Sequence, residues 1–454
     1  MRALDDRPTP PSPSRLAAAK QVAALARRDL PQLSGPQKNS SENSNFVPEF
    51  FNASRLHFIG SWKERFQKLL DTLPAPPALP PPHNSQRIIA HIDMDCFFAS
   101  VAARGRPELD GIALAVAWSG NERGAAEIAS CSYVARAYGV SNGMWVARAK
   151  ELCDHLVVMP YEFEKYQTCA DAMYRAVFEI TPHVMGVSVD ECFADVSASG
   201  DAADAAITAL RATIFDRTGC TASVGVGPNR LLARLATKRA KPDGYFRWDD
   251  VDAARELLRS QPARELPGVG HDRVKKLDAI GVMTCADVLE CDGGKLSDAL
   301  GPKLSQTVRS YARGEDTRPW EPRPVRKTVG AQSSWGVRFA TPEDAHEFGR
   351  KLSAEVSERA AKQGLRGHEI TIKLWRAVEG APTSMRKGSM GHGLCDHLSR
   401  SVTLPAATND AARLAQETGK ECSPPHHLCQ SLYLCLFPPL VTRGVCICVM
   451  TRGR

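Results

Sequence analysis

Residues 88 to 101 read Ile-Ile-Ala-His-Ile-Asp-Met-Asp-Cys-Phe-Phe-Ala-Ser-Val. A short apolar run carries the chain to Asp93 and Asp95 and resumes at once with Phe97 and Phe98. That pattern predicts a buried strand with carboxylates at its end. Residues 187 to 193 repeat the device, with β-branched residues leading into Asp190 and Glu191. A further short strand is expected over residues 222 to 227. After it, Pro228 and Asn229 open a helix on which Arg230, Arg234 and Lys238 form an i, i+4 basic ridge beside Leu231 and Leu235. Residues 265 to 281 read as two short helices around a Gly-rich hairpin, and residues 296 to 313 as one more helix. Past a Pro- and Arg-rich tether at residues 317 to 326, strands are expected over 327 to 339, 369 to 375 and 401 to 404. Helices are expected over 342 to 363 and 406 to 419, an order that suits an α+β sheet with helices on one side.

The two ends of the chain differ from this middle. Residues 1 to 45 are rich in Pro, Ser, Asn and Gln, which predicts disorder. Within them, residues 14 to 30 set Arg15, Lys20, Arg27 and Arg28 among alanines and read as a short solvated helix, the alternative being an organelle presequence. Phe50, Phe51, Leu56, Phe58, Ile59 and Trp62 then form an apolar cluster that continues at helical spacing to Leu70 and must dock on something. Residues 74 to 82 are a Pro-rich spacer. Residues 422 to 454 hold five of the fourteen cysteines, adjacent Pro pairs and no clear periodicity, and are expected to lie outside the fold.

Composition narrows the classes. At 454 residues, 43% hydrophobic and 24% charged, the chain has the texture of about three globular domains. A net charge of +7 suits a polyanionic partner or is ordinary surface charge. No run approaches 18 apolar residues, so no membrane span is expected, and the charged start does not read as a secretory signal. The cysteines make no CxxC pair, which points to reduced thiols in an intracellular protein and to no zinc site.

The candidate chemistry is carried by Asp93, Asp190 and Glu191. Carboxylates that close repel unless a cation lies between them. Oxygen donors with no His or Cys cage favour Mg²⁺ or Mn²⁺, so the leading chemistry is two-metal phosphoryl or nucleotidyl transfer. Tyr133 and Arg136 are three apart and share a face if helical. They grip a triphosphate or are a half-buried Tyr beside a surface Arg. Backbone N–H groups at Gly268 and Gly270 suit a DNA phosphate without reading sequence, the plain alternative being a tight turn.

Taken together, His-Ile-Asp-Met-Asp-Cys-Phe-Phe-Ala-Ser-Val, Ser-Tyr-Val-Ala-Arg, Ser-Val-Asp-Glu-Cys, Ala-Lys-Pro-Asp-Gly and Leu-Pro-Gly-Val-Gly resemble, in this order, the Y-family translesion DNA polymerases. The upstream Ser-Arg-Leu-His-Phe-Ile-Gly-Ser-Trp resembles the family's deoxycytidyl transferase branch. The resemblance implies an α+β, multi-domain right hand: palm at 87 to 96 and 161 to 250, fingers at 97 to 160, and a helical thumb at 251 to 316. A little finger would follow at 327 to 420, incomplete at its C-terminal end because an atypical tail begins at 421. A nucleotide-selecting element would occupy 46 to 73.

By the same resemblance Asp93, Asp190, Glu191 and the Met94 carbonyl hold two Mg²⁺ ions (or Mn²⁺), and Asp95 is structural. Phe97 and Phe98 line the nucleotide site, Phe98 as steric gate. Tyr133, Arg136 and Lys241 hold the triphosphate, and Arg55 pairs with the cytosine edge of dCTP. Leu56 replaces a displaced template guanine, which the loop of Met390, Gly391 and His392 receives. From its spacing, the ridge of Arg230, Arg234 and Lys238 contacts phosphates or is a solvated helix face, and with Gly268 and Gly270 it is expected to bind primer-template DNA. Nuclear localisation and other translesion polymerases as partners are implied, although the segments that bind those partners, and a BRCT domain, are not visible. Two rival readings stay open: a DNA-bound scaffold with dispensable catalysis, and a palm-fold nucleotide cyclase.

Overall fold

The computed structural model describes residues 8–29, 40, 42–79, 87–118, 126–248, 250–322, 328–333, 337, 341–377, 395–422 and 442–450. The chain divides into two compact units, Met1–Arg27 with Phe58–Arg323, and Arg28–His57 with Pro324–Arg454.

Among the described residues the first unit holds eight strands: β1 (Ile89–Met94), β2 (Leu114–Ala117), β3 (Ile128–Cys131), β4 (Val157–Met159), β5 (Val184–Gly186), β6 (Glu191–Asp195), β7 (Ala222–Gly227) and β8 (Tyr245–Arg247). Five form one sheet in the order β5-β6-β1-β7-β8, antiparallel except for the β7–β8 pair. The central strand β1 is largely buried because both of its faces are covered, with His91 and Asp93 as its polar residues. Ala90, Ile92 and Met94 enter the main core with Met173, Val177, Ile207 and Ile214 from the helices Phe163–Ile180 and Ala203–Thr218. Ile89 packs with Phe193 and with Ala233 of the helix Arg230–Ala240. A second sheet, β3-β2-β4, has its own small core of Ala115, Ile128, Val146 and Val158.

Five helices follow: Val251–Arg259, His271–Asp278, Cys285–Glu290, Gly293–Leu300 and Pro302–Ala312. They close around Leu258, Leu277, Val288, Leu296 and Val308. The single helix expected over 296 to 313 is two. Gly301 stands at φ +84° and Pro302 lacks an N–H, so the chain stops one helix and starts the next there.

Disorder is corrected at Pro13–Arg28, which form a helix close to the one expected over 14 to 30, packed rather than solvated. Its small Ala19, Ala23 and Ala26 are buried, and Arg27 donates to the carbonyl of Val158 at 2.7 Å. Alanines on one face allow a close approach that low overall hydrophobicity hides. The helix Arg55–Asp71 buries Phe58, Trp62, Phe66, Leu69 and Leu70 in the first unit's main core. Gly186 makes room for it, since a Cβ there would lie 2.7 Å from the Trp62 ring.

The second unit contains the helix Phe46–Ala53 and the strands β9 (Thr328–Ser333), β10 (Gly367–Ala377), β11 (Cys395–Thr408) and β12 (Thr442–Met450). Its helices Pro342–Ala361 and Ala411–Cys422 cover the sheet. Phe46, Val47, Phe50 and Phe51 pack with Phe348, Leu352, Val356 and Ile370. The element expected as one piece over 46 to 73 therefore serves two cores. Another expectation is corrected at the C-terminus. β12 lies inside the sheet, in the order β11-β10-β12-β9, and supplies the strand that seemed missing. Its Val-Cys-Ile-Cys-Val-Met run is a strand signal that the neighbouring cysteines and prolines obscure. Residues 406 to 408 continue β11, so the last helix begins at Ala411.

Candidate active site

β1 and β6 run side by side with Asp93 directly opposite Glu191. Opposite residues of an antiparallel pair share a face, so both carboxylates and His91 lie on the side covered by the helix Arg230–Ala240. Asp190 arrives differently from the expected strand. Val187 to Asp190 form the turn of the β5–β6 hairpin, whose Val187 and Ser188 N–H groups both donate to the Glu191 carbonyl at 2.9 and 3.0 Å. The Tyr174 hydroxyl ties this turn down by donating to the carbonyls of Ser188 and Glu191. The Met94 N–H donates to the Asp190 carbonyl at 3.0 Å, which draws the turn against the end of β1.

Each carboxylate is engaged by its own neighbour. Lys241 Nζ stands 2.5 Å from Asp93 Oδ1. His91 Nε2 lies 2.6 Å from Glu191 Oε1, while its Nδ1 faces Thr237 Oγ1 at 2.8 Å. Arg234 adds a 3.3 Å contact to the same Glu191 oxygen. Asp190 takes the Ser188 hydroxyl. Among the described residues no three His, Cys, Asp or Glu side chains are gathered closely enough to cage a metal ion.

The electrostatics still mark this place. Burial, with Asp93 and Glu191 nearby, pushes Asp190 up to about 6 against the Ser188 hydrogen bond. Burial also raises Asp93, more than Lys241 lowers it. Burial works against ionised Glu191, but His91, Arg234 and Lys241 outweigh it and hold that carboxyl below its usual range. Burial thus disfavours the ionised form of two of the three acids, and their all-oxygen donor set suits a hard divalent cation. Asp93, Asp190 and Glu191 are the residues that could hold it.

Around them stand the expected nucleotide residues of the first unit. Phe98 is 7% exposed and packs on Tyr166 at 4.5 Å and on Phe97 at 5.6 Å, so its ring is fixed. Tyr133 and Arg136 share one face of a short helix, the guanidinium 5.0 Å from the ring centre. The Tyr133 hydroxyl donates to Asp95 at 3.1 Å, and burial followed by the Asp95 charge raises its pKa. Sequence reasoning missed His91, Thr237 and Ser188. Only their places in the motifs could have singled them out, since their roles depend on strand pairing.

The basic ridge is not the even row that its spacing suggests. Arg230 has a side chain only 9% exposed, turned towards Asp316 at 3.6 Å, because the neighbouring segment closes over it. Arg234 reaches Glu191, and Lys238 reaches Glu265 at 2.5 Å. All three line a cavity of about 510 Å³ together with Arg264 and Arg318. Gly268 takes φ +88°, and Gly270 caps the helix His271–Asp278 without a side chain, as a backbone anion contact requires. In the second unit, Arg55 opens its helix and Leu56 is 49% exposed. Met390, Gly391 and His392 lie outside the described residues.

No helix among the described residues is long and apolar enough to cross a membrane. Residues 92–238 match the impB/mucB/samB family, residues 326–420 its C-terminal domain, and residues 264–316 the DNA polymerase-iota thumb domain. The chain is 38% identical over 382 residues to "DNA repair protein REV1" of Arabidopsis thaliana, covering 81% of this chain and 34% of that protein. It is 31% identical to "DNA repair protein rev1" of Schizosaccharomyces pombe, over 82% of this chain and 40% of that one. It thus spans well under half the length of these two relatives. With "DNA polymerase IV" of Aeromonas hydrophila it shares 35% identity over 63% of this chain and 83% of the relative. In fold it resembles the solved "Y-family DNA polymerase chimera Dbh-Dpo4(243-245)-Dbh", with a TM-score of 0.62 and 20% identity over 80% of this chain and 98% of that one. Motifs, matched domains and fold agree: the chain belongs to the impB/mucB/samB family, the Y-family DNA polymerases.

Proposed function

We propose that the chain is a translesion DNA nucleotidyltransferase that adds dCMP from dCTP to a primer 3′-OH on primer-template DNA. The observation that carries the reading is the pairing of Asp93 with Glu191 across β1 and β6, with Asp190 in the adjoining turn and Lys241 in contact. Three partly buried acids beside Lys241, Arg234 and His91 are costly to a fold and are what phosphoryl transfer needs. Bound divalent cations, Mg²⁺ or Mn²⁺, would neutralise charge on the phosphates and the attacking oxygen; Asp93, Asp190, Glu191 and the Met94 carbonyl would hold them. Tyr133, Arg136 and Lys241 orient the triphosphate so that its α-phosphorus lies in line with the primer oxygen. The fixed Phe98 ring occupies the space a ribose 2′-OH needs.

The choice of dCTP is assigned to Arg55, whose planar fork offers paired donors to the acceptor edge of cytosine. Leu56 takes the room of the template guanine, and the loop containing Met390, Gly391 and His392 receives the extruded base. Arg234, Lys238, Gly268 and Gly270 hold DNA phosphates, with Arg230 supporting them from within the cavity wall. The work is expected in the nucleus, with other translesion polymerases as partners. Primer extension with each nucleotide offered singly tests the reading. Incorporation of dCMP above the other three supports it, DNA binding without incorporation favours the scaffold, and pyrophosphate release without DNA favours the cyclase.

A further inference from the structure

Asp95 is a buried carboxylate that the reaction above leaves without a task. It is 3% exposed, and four neutral groups donate to it. Its Oδ1 accepts from the hydroxyls of Tyr133 at 3.1 Å and Ser223 at 2.9 Å. Its Oδ2 accepts from Thr221 Oγ1 at 3.0 Å, Ser223 Oγ at 3.1 Å and the Asp243 N–H at 2.9 Å. These donors belong to three separate pieces of chain: the helix that carries Tyr133, the start of β7, and the Lys-Pro-Asp-Gly loop that follows Lys241. Asp243 stands at φ +45°, a left-handed conformation uncommon outside glycine though more accessible to Asp than to most residues. The Asp95 oxygen is one restraint on that turn, and Arg211 is another, donating to the Asp243 carbonyl at 2.7 Å and carboxylate at 2.6 Å.

We propose that Asp95 is a positioning residue for the nucleotide triphosphate. One carboxylate holds Tyr133 with one oxygen and the Lys241 loop with the other, and so sets the spacing between two triphosphate-binding side chains from different parts of the chain; the single Tyr133 hydroxyl proton goes to Asp95 before the nucleotide enters and turns to a phosphate when it binds. This rests on the reading of Tyr133 and Lys241 as triphosphate ligands. A carboxylate suits the task because it only accepts. An asparagine amide would present an N–H₂ group to donors, and at least one bond would be lost.

The test is the dissociation constant of dCTP on a primer-template ended with a dideoxynucleotide, together with KM and kcat on an extendable primer, for the full chain. Tyr133→Phe and Lys241→Ala should each weaken dCTP; if neither does, the triphosphate reading fails and the inference with it. Asp95→Asn should raise Kd and KM for dCTP by about tenfold, the size expected for a charge-assisted hydrogen bond, with kcat changed by less than about threefold. Its effect should largely vanish in the Tyr133→Phe background if Asp95 acts through that hydroxyl. Thr221→Val removes a donor that touches neither ligand and should lower Tm without moving KM. If Asp95→Asn does not fold, Asp95→Glu keeps the charge and misplaces it, and should raise KM in the same way. A dCTP Kd and KM unchanged in whichever Asp95 variant folds, with Tyr133→Phe impaired, would overturn the inference alone and leave Asp95 as a brace of the fold.

Discussion

Asp93 and Glu191 stand opposite each other across two antiparallel strands, and each is met by a basic side chain: Lys241 on Asp93, His91 on Glu191. Two carboxylates on one face of a sheet, neither left bare, form a site in which cations are already drawn to the acids. Removing the acids should therefore end the chemistry without loosening the DNA. The double variant Asp190→Ala with Glu191→Ala is expected to lose incorporation by at least about 10³-fold, while its affinity for primer-template, measured at the same salt concentration, changes by less than about threefold. Near wild-type incorporation would show that the site has been misplaced.

Phe98 should discriminate against ribonucleotides. Its ring is held by Tyr166, Phe97, Tyr161 and Phe58, so it does not swing away from a 2′-OH. Phe98→Leu keeps most of the buried volume and opens space at the ring edge. Incorporation of rCMP relative to dCMP should rise by roughly tenfold or more, a range typical of small changes in pocket volume. An unchanged ratio in a folded variant would remove the gate assignment.

Arg106 and Glu162 make a test of stability away from the chemistry. The guanidinium grips both Glu162 oxygens at 2.7 and 2.8 Å, Lys165 adds a third contact at 2.6 Å, and the Glu162 side chain is 4% exposed. Burial opposes the charge, but the Arg106 hydrogen bonds and then Lys165 outweigh it and hold the carboxyl below its ordinary 4.5. A depressed folded-state pKa contributes stability above the unfolded value that is lost as pH falls through the folded one. Arg106→Ala should cost about 3 kcal/mol near pH 7, as breaking a buried pair does. The Tm gap between wild type and variant should narrow as pH falls below about 4.5, closing as Glu162 takes up a proton in the wild type as well. A gap that stays constant with pH would show that the pair does not govern stability there.

Much of this molecule could be read from its residues. The short apolar approach to Asp93 predicts a buried strand with carboxylates at its end, and Asn229 before the leucines marks a helix start, where the Leu232 N–H donates to Asn229 Oδ1. What could not be read depends on pairing or on small residues. Val187 to Asp190 have strand-forming side chains, yet the hairpin makes them a turn, because Gly186 lies opposite Cys192 and only four residues separate β5 from β6. Ala19, Ala23 and Ala26 pack a helix whose low hydrophobicity reads as solvated. The row of Arg230, Arg234 and Lys238 was correctly spaced, but only the fold shows that Arg230 turns inward to Asp316 while Arg234 reaches Glu191.

The most direct measurement is nucleotide choice opposite template guanine with Arg55 altered. Arg55→Ala removes the paired donors proposed for the cytosine edge, and a well-placed bidentate contact is worth on the order of 1 to 3 kcal/mol of discrimination. Preference for dCTP, as a ratio of kcat/KM values, should fall by roughly tenfold to a hundredfold with residual transfer retained. Arg55→Lys should fail as well, since one ammonium does not reproduce a planar fork. An unchanged dCTP preference in folded Arg55→Ala protein, or an equal loss for all four nucleotides, would contradict selection by the protein side chain and leave a polymerase directed by its template.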